Sequence, residues 1–221
     1  MKIPNADVYI TCSNLKMLSS DILTQFRDRG DEIKVYPLSY QEFYEHYDGD
    51  KRGAWRDYYT YGGMPLVWTF ETHEERSRYL RDLFSWTYIK DVLERNKIKK
   101  DEEVMEILLN LLASAVGSLT NPTKLSNTFH SERHIEISSG TIDSYIGFFM
   151  DAYLIQKVER YDVKGRKYIS TPVKYYYSDP GLRNALLGFR QIEEAHLMEN
   201  VLYNDLIRRG YDVDVGVVVQ N

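Results

Sequence analysis

The stretch "YLIQKVERYDVKGRKYISTPVKYYYSD", residues 153–179, alternates apolar and polar residues with period two on both sides of the turn "DVKGRK". That pattern predicts a β-hairpin. Upstream the period changes to 3.6. Val104, Ile107, Leu108, Leu111, Leu112 and Ala115 predict one helical face, starting at Glu102. "TNPTKLSNTFHSE" predicts a second helix, with Asn121 as its cap and Pro122 at its first position. A third helix is expected from Ser139 or Thr141, with Ile142, Tyr145, Ile146, Phe149 and Met150 facing inward. Three helices followed by a hairpin predict a winged helix-turn-helix over residues 101–188.

The chain opens differently. "ADVYITCSNLKMLSSDILTQFRDRGDEIKVYPLSYQEF", residues 6–43, predicts a strand at Asp7–Thr11, a helix with a Leu15, Leu18, Ile22, Leu23, Phe26 stripe, and a strand at Ile33–Tyr36 ended by Pro37. Two strands joined by a helix make a right-handed parallel β-α-β unit. Parallel strands need cover on both faces, so something is expected to lie beside this unit. A short helix is expected at 39–47 and another near Ala54–Tyr61, broken at "YGGMP". Glu71–Asn96 reads as one long helix with Tyr79, Leu80, Leu83, Trp86, Val92 and Leu93 inward, and "KIKKDEE" as a charged linker. At the other end, "QIEEAHLMENVLYNDLIRRG" predicts a helix closed by Gly210, and "YDVDVGVVV" a final strand. Both terminal strands are expected to present unpaired edges, which invite association.

The 28 basic and 33 acidic residues give a net charge of -5, so a nucleic-acid partner would have to be held by a local basic surface. A lone cysteine, Cys12, rules out an internal disulfide and fits a reducing compartment. The longest apolar stretches, "ILLNLLASAV" and "IGFFMDAYLI", are too short to span a bilayer. A soluble, cytoplasmic protein with no membrane partner is expected.

Residues 6–43 resemble the second half of the ATPase core in a prokaryotic AAA+ ATPase family. "YGGMP", "YLRDLFSWTYIKDVLERNKI", "GTIDSYIGFFMDAYLIQKVERYDVKGRKY", "KYYYSDPGLRNALLGF" and "HLMENVLYNDLIRRGYDVDVG" are similar to that family's C-terminal region. The resemblance runs in order over nearly the whole chain. It implies a mixed α/β, mostly helical fold: the C-terminal part of a AAA+-like core at 1–45, a helical lid or linker at 46–100, the winged helix at 101–188, and the truncated start of a nuclease-like α/β domain at 189–221. Intact relatives of that kind use ATP and Mg at a phosphate loop. None of the 13 glycines here lies in a GxxxxGK[ST] pattern. No cofactor is therefore expected for this chain, and ATPase activity is not expected of it alone.

By the same resemblance, Asn14 stands where a polar residue senses the γ-phosphate and Arg29 where an arginine finger acts on a neighbour's nucleotide. Cys12 replaces a usual glycine, and Asp28 the glycine before Arg29. Arg27 and Arg29 also read as solvated helix-end arginines. His130 and His134 are spaced for one helical face but lack a third ligand. Glu199 resembles the first-helix acid of nuclease folds, without the acids that would complete a metal site; Asp179 and Asp205 have no partner pattern. The hairpin carries Lys157, Arg160, Lys164, Arg166, Lys167 and Lys174 against Glu159 and Asp162, a local basic wing suited to phosphate contacts. The helix that would read bases instead exposes Asp143, Ser144, Phe148 and Asp151. Two functions remain open: a non-catalytic module for protein or DNA interaction, or a trans-acting ATPase component completed by a chain that supplies the phosphate loop.

Overall fold

The computed structural model describes residues 33–98, 101–190 and 192–217, together with Tyr9 and Thr11. It is a mixed α/β fold, mostly helical, with nine α-helices and one three-stranded sheet among the described residues. Asn14, Arg27, Arg29 and Cys12 lie outside the described residues. So does the first strand, apart from Tyr9 and Thr11.

Helix α1, Tyr40–Tyr44, begins at a full capping box: Ser39 caps Glu42 N and the Glu42 carboxylate returns to Ser39 N. Helix α2 spans Lys51–Tyr61 from an Asp50 cap and ends at Gly62, whose φ of 78° suits a residue without a Cβ. A 3-10 turn at Pro65–Thr69 leads to α3, His73–Asp82. The helical run then widens into a π segment, Leu83–Ile89, and returns to α-geometry in α4, Lys90–Arg95. Buried Leu80, Phe84, Ile89 and Val92 show why. The step from Phe84 to Ile89 is five residues, and the wider π turn keeps both on the inner face.

Helix α5, Glu102–Ser114, is the centre of the main core. Its buried side chains are Met105, Leu108, Leu109, Leu112 and Ala113, while Val104, Ile107 and Leu111 are only half-buried. The inner face is thus turned by one residue from the sequence expectation. The helix is apolar on both flanks, and the deciding contacts come from later in the chain: Tyr177 Oη donates to Leu109 O at 2.7 Å and Arg183 Nε to Ala113 O at 2.8 Å. Helix α6, Pro122–Thr128, starts as expected from the Asn121 cap. It runs into a π turn, Phe129–Arg133, that stops at His134 in the left-handed region, φ 56°. Helix α7, Ser139–Asp151, is capped by Ser138 and buries Ile142, Tyr145, Ile146 and Phe149.

The hairpin is strands β1, Ile155–Asp162, and β2, Lys167–Tyr177. Its pairing slips midway. Only Glu159 separates Val158 from Arg160 on β1, whereas residues 170–173 separate their partners Lys174 and Ile169 on β2. Pro172, which has no N–H for a ladder, sits in that excess. Val173 leaves the hairpin to pair with Thr120 through two 2.9 Å bonds. Helix α8, Pro180–Leu186, follows the Asp179 cap, and α9 spans Glu194–Arg208.

Two expectations about strands are corrected. Residues 33–36 form no strand: Ile33 and Val35 are 82% and 92% exposed, with no ladder partner among the described residues. Strand β3, Val215–Val217, starts later than the expected Tyr211, the expected residues 218 and 219 lie outside the described residues, and its inner edge is paired. It runs parallel to the tip half of β1, with Arg160 opposite Val215, giving the order β2-β1-β3. Buried Tyr203, with Ile207 of α9, Val213 and Val215, packs on Val158 and Tyr176. That apolar face is what draws the last segment onto the hairpin.

Candidate functional site

The hairpin turn is built by Asp162. Its Oδ1 accepts from Lys164 N at 3.1 Å and Gly165 N at 3.0 Å, and the residue is 6% exposed. A Cβ on Gly165 would stand 2.4 Å from Asp162 Oδ2, so a side chain there would push the turn-forming carboxylate aside. Arg166 has φ 50°. Lys164, Arg166 and Lys167 are thereby held at an exposed tip, and no salt bridge holds them among the described residues.

The other three cations are spent differently. Lys157 Nζ lies 3.6 Å from Glu159 Oε1. Lys174 Nζ lies 2.5 Å from Glu199 Oε1, which also accepts from Tyr176 Oη at 2.5 Å. Burial and that carboxylate together push the Tyr176 hydroxyl well above the ordinary tyrosine range. Arg160 is half-buried between Ile169 and Val215, and its Nε is a buried donor without a partner. Beside β1, an open groove is lined by Lys157, Glu159, Tyr168, Ile207, Asp212 and Asp214, with Tyr168 Oη donating to Asp214 at 3.1 Å. The basic surface predicted for the whole wing therefore contracts to its three-residue tip, flanked by carboxylates.

On α7, Asp143 and Ser144 are exposed, Ser144 Oγ returns to Gly140 O at 3.0 Å, and Phe148 and Asp151 are half-buried. No lysine or arginine lies on this helix. The two histidines do not share a face, because the left-handed His134 ends the helix; His130 Nδ1 instead meets Glu136 Oε1 at 2.6 Å. Among the described residues, no group of three His, Cys, Asp or Glu side chains is arranged to hold a metal.

The carboxylates without a pattern in the sequence all have structural partners. Asp205 takes Arg209 Nε at 2.7 Å. Asp179, 1% exposed, caps Leu182 N at 3.0 Å and receives Gly63 N at 2.6 Å. Burial outweighs these amide bonds and pushes its carboxyl up to about 6. Next to it Asn184 Nδ2 donates to the carbonyls of Tyr59 and Thr60, and Asn184 Oδ1 accepts from Arg183. Cβ atoms on Gly63 and Gly181 would stand 2.0 Å from Leu38 O and Tyr61 O. This buried polar knot escaped the sequence reading. Its legible trace is "SDPG", an Asp cap with Pro at the first helical position.

Residues 52–193 match a family described as a domain of unknown function, DUF8612. The chain belongs to that family. The matched span runs from α2 to the residue before α9, so it contains both the knot and the hairpin. An uncharacterised protein of Haemophilus influenzae is 36% identical over 217 residues, covering 96% of this chain and 54% of its own length. An uncharacterised protein of Methanocaldococcus jannaschii is 27% identical over 217 residues, covering 93% and 48%. The chain thus spans about half the length of the curated relatives it matches. No solved structure matches it. No helix among the described residues is long and apolar enough to cross a membrane.

Proposed function

We propose that this chain is a non-catalytic interaction module of a AAA+-like ATPase, using a winged-helix-like unit to contact protein rather than to read DNA. The observation that carries the choice is the charge at the two surfaces a DNA reader would present. Helix α7 offers Asp143 and no cation, and Lys157 and Lys174 of the hairpin already face Glu159 and Glu199. A carboxylate opposite phosphate repels, and a cation held by its own carboxylate releases few counterions. The affiliation with an ATPase rests on the sequence resemblance of residues 6–43 and of the C-terminal motifs. A role as a trans-acting ATPase component would rest on Asn14 and Arg29.

The test is a titration of random-sequence duplex DNA at low salt, read by fluorescence anisotropy, with the wild type and a Lys164→Ala/Arg166→Ala/Lys167→Ala variant. The expected outcome is no saturable binding by either protein. Binding by the wild type, with log K falling by about 0.9 per phosphate neutralised as log salt rises, and lost in the triple variant, overturns the proposal in favour of a phosphate-contacting wing.

A further inference from the structure

The segment Tyr36–Ser39 lies across the fold as a strap, gripped on adjacent residues by two different parts of the fold. At one end is the last turn of α9. Arg208 donates from Nη1 to Glu42 Oε2 at 2.5 Å and from Nη2 to Pro37 O, and its guanidinium lies 5.5 Å from the Tyr36 ring centre. Glu42 is the same carboxylate that closes the α1 capping box, so Arg208 and the start of α1 share one acceptor. At the other end is the glycine corner. Leu38 N donates to Gly63 O at 2.8 Å, Leu38 O accepts from Tyr58 Oη at 2.7 Å, and Gly63 N continues to Asp179 Oδ2 at 2.6 Å.

We infer that this strap is a latched joint: its docked state ties the last turn of α9 to the Gly63–Asp179 corner, and Arg208 is the latch. The strap has what an opening segment needs. It is held by a few polar bonds and one ring contact rather than by a deep apolar core, and low-stability openings are drawn from such places. The residues just before it, Ile33 and Val35, stand exposed. A water-sized cavity of about 20 Å³ beside it is lined by Tyr36, Pro37, Gln156, Ser178, Asn204 and Arg208, so the contact there is not close-packed. The consequence of a joint is reciprocity. Loosening either grip loosens the other, although Arg208 makes no hydrogen bond to Gly63, Tyr58 or Asp179.

Site-resolved amide hydrogen exchange on the full chain tests this. In Arg208→Ala, exchange at Leu38 and Gly63 is expected to rise about tenfold, with Arg208→Lys intermediate because it keeps the charge but not the fork. In Tyr58→Phe, which removes one hydroxyl at the far grip and leaves the ring packed, exchange at Arg209 and Gly210 is expected to rise about threefold. The Tyr177 amide, bonded to Asn200 in the core, serves as the control that should stay unchanged in both variants. If each variant affects only the amides beside it, or if the Tyr177 amide rises with the rest, there is no joint and Arg208 is an ordinary helix-end ion pair.

Discussion

Asp179 joins two separate parts of the fold through one side chain. One carboxylate caps α8 and holds the Gly63 amide, in a site where burial has pushed its acid equilibrium up to about 6 from an ordinary 3.8. The sign of the pH effect follows. The folded chain keeps this proton to higher pH than the unfolded chain does, so between about pH 4 and pH 6 this residue's contribution to stability falls as pH rises. Glu42 and Glu75, held below the usual carboxylate range by Ser39 and Thr72, act in the opposite sense at lower pH. The informative quantity is therefore the difference between wild type and Asp179→Asn. The asparagine keeps the cap on Leu182 but turns an NH₂ towards the Gly63 N–H, and should cost about 2–3 kcal/mol at neutral pH. That cost should grow as pH falls from 6 to 4, because the wild type gains stability as the folded chain takes up the Asp179 proton and the asparagine does not titrate. Urea unfolding at several pH values checks it; a cost independent of pH would mean that Asp179 does not titrate in that window.

Helices and strands were legible wherever a local rule fixed them. The Asn121 cap with Pro122, the serine start of α7 and the hairpin turn needed only neighbours in sequence, and all three stand where the pattern puts them. The turn of α5 about its axis was not legible, because both flanks are apolar and the choice is made by Tyr177 and Arg183. Nor was the parallel pairing of β3 with β1, since period two reveals a strand but not which edge receives it. The same holds for the candidate site. The cations of the hairpin were visible as residues, while the neutralising role of Glu199 on Lys174 depends on how α9 crosses the sheet. That crossing gives a prediction at this scale. A double-mutant cycle with Lys174→Met and Glu199→Gln, which keeps an acceptor for Tyr176, should return a coupling of about 1 kcal/mol, because the glutamate side chain is 40% exposed and screened. A coupling indistinguishable from zero in thermal unfolding would remove this pair as an anchor of α9.

Across the whole molecule, α9 works as a tie between the two ends of the described chain. Its Glu194 accepts from Trp55 of α2 at 3.0 Å and its Arg208 holds the strap, while Asn200 brackets Tyr177 through both the N–H and the carbonyl at 2.8 and 2.7 Å. Helical and hairpin halves should therefore unfold together. The three tryptophans, Trp55, Trp68 and Trp86, all lie before residue 100, so their fluorescence reports on the first half, and amide exchange of the β1–β2 ladder reports on the second. Coincident midpoints in urea are expected; two separated transitions would mean that α9 does not unite the halves. The glycine corner has a further consequence, for how such a chain can diverge. Gly63 touches Leu38 on one side and Asp179 on the other, and Gly181 touches the carbonyl of Tyr61, each with no space for one more carbon. A lineage that gained a side chain at Gly63 would have to shift the strap at Leu38 in the same step, and one that gained a side chain at Gly62 would have to shift the Asp179 carboxylate. Among relatives these positions should be inherited or replaced as a set, while the side chains of Lys164, Arg166 and Lys167, in no salt bridge among the described residues, are free to drift one at a time unless a partner holds them.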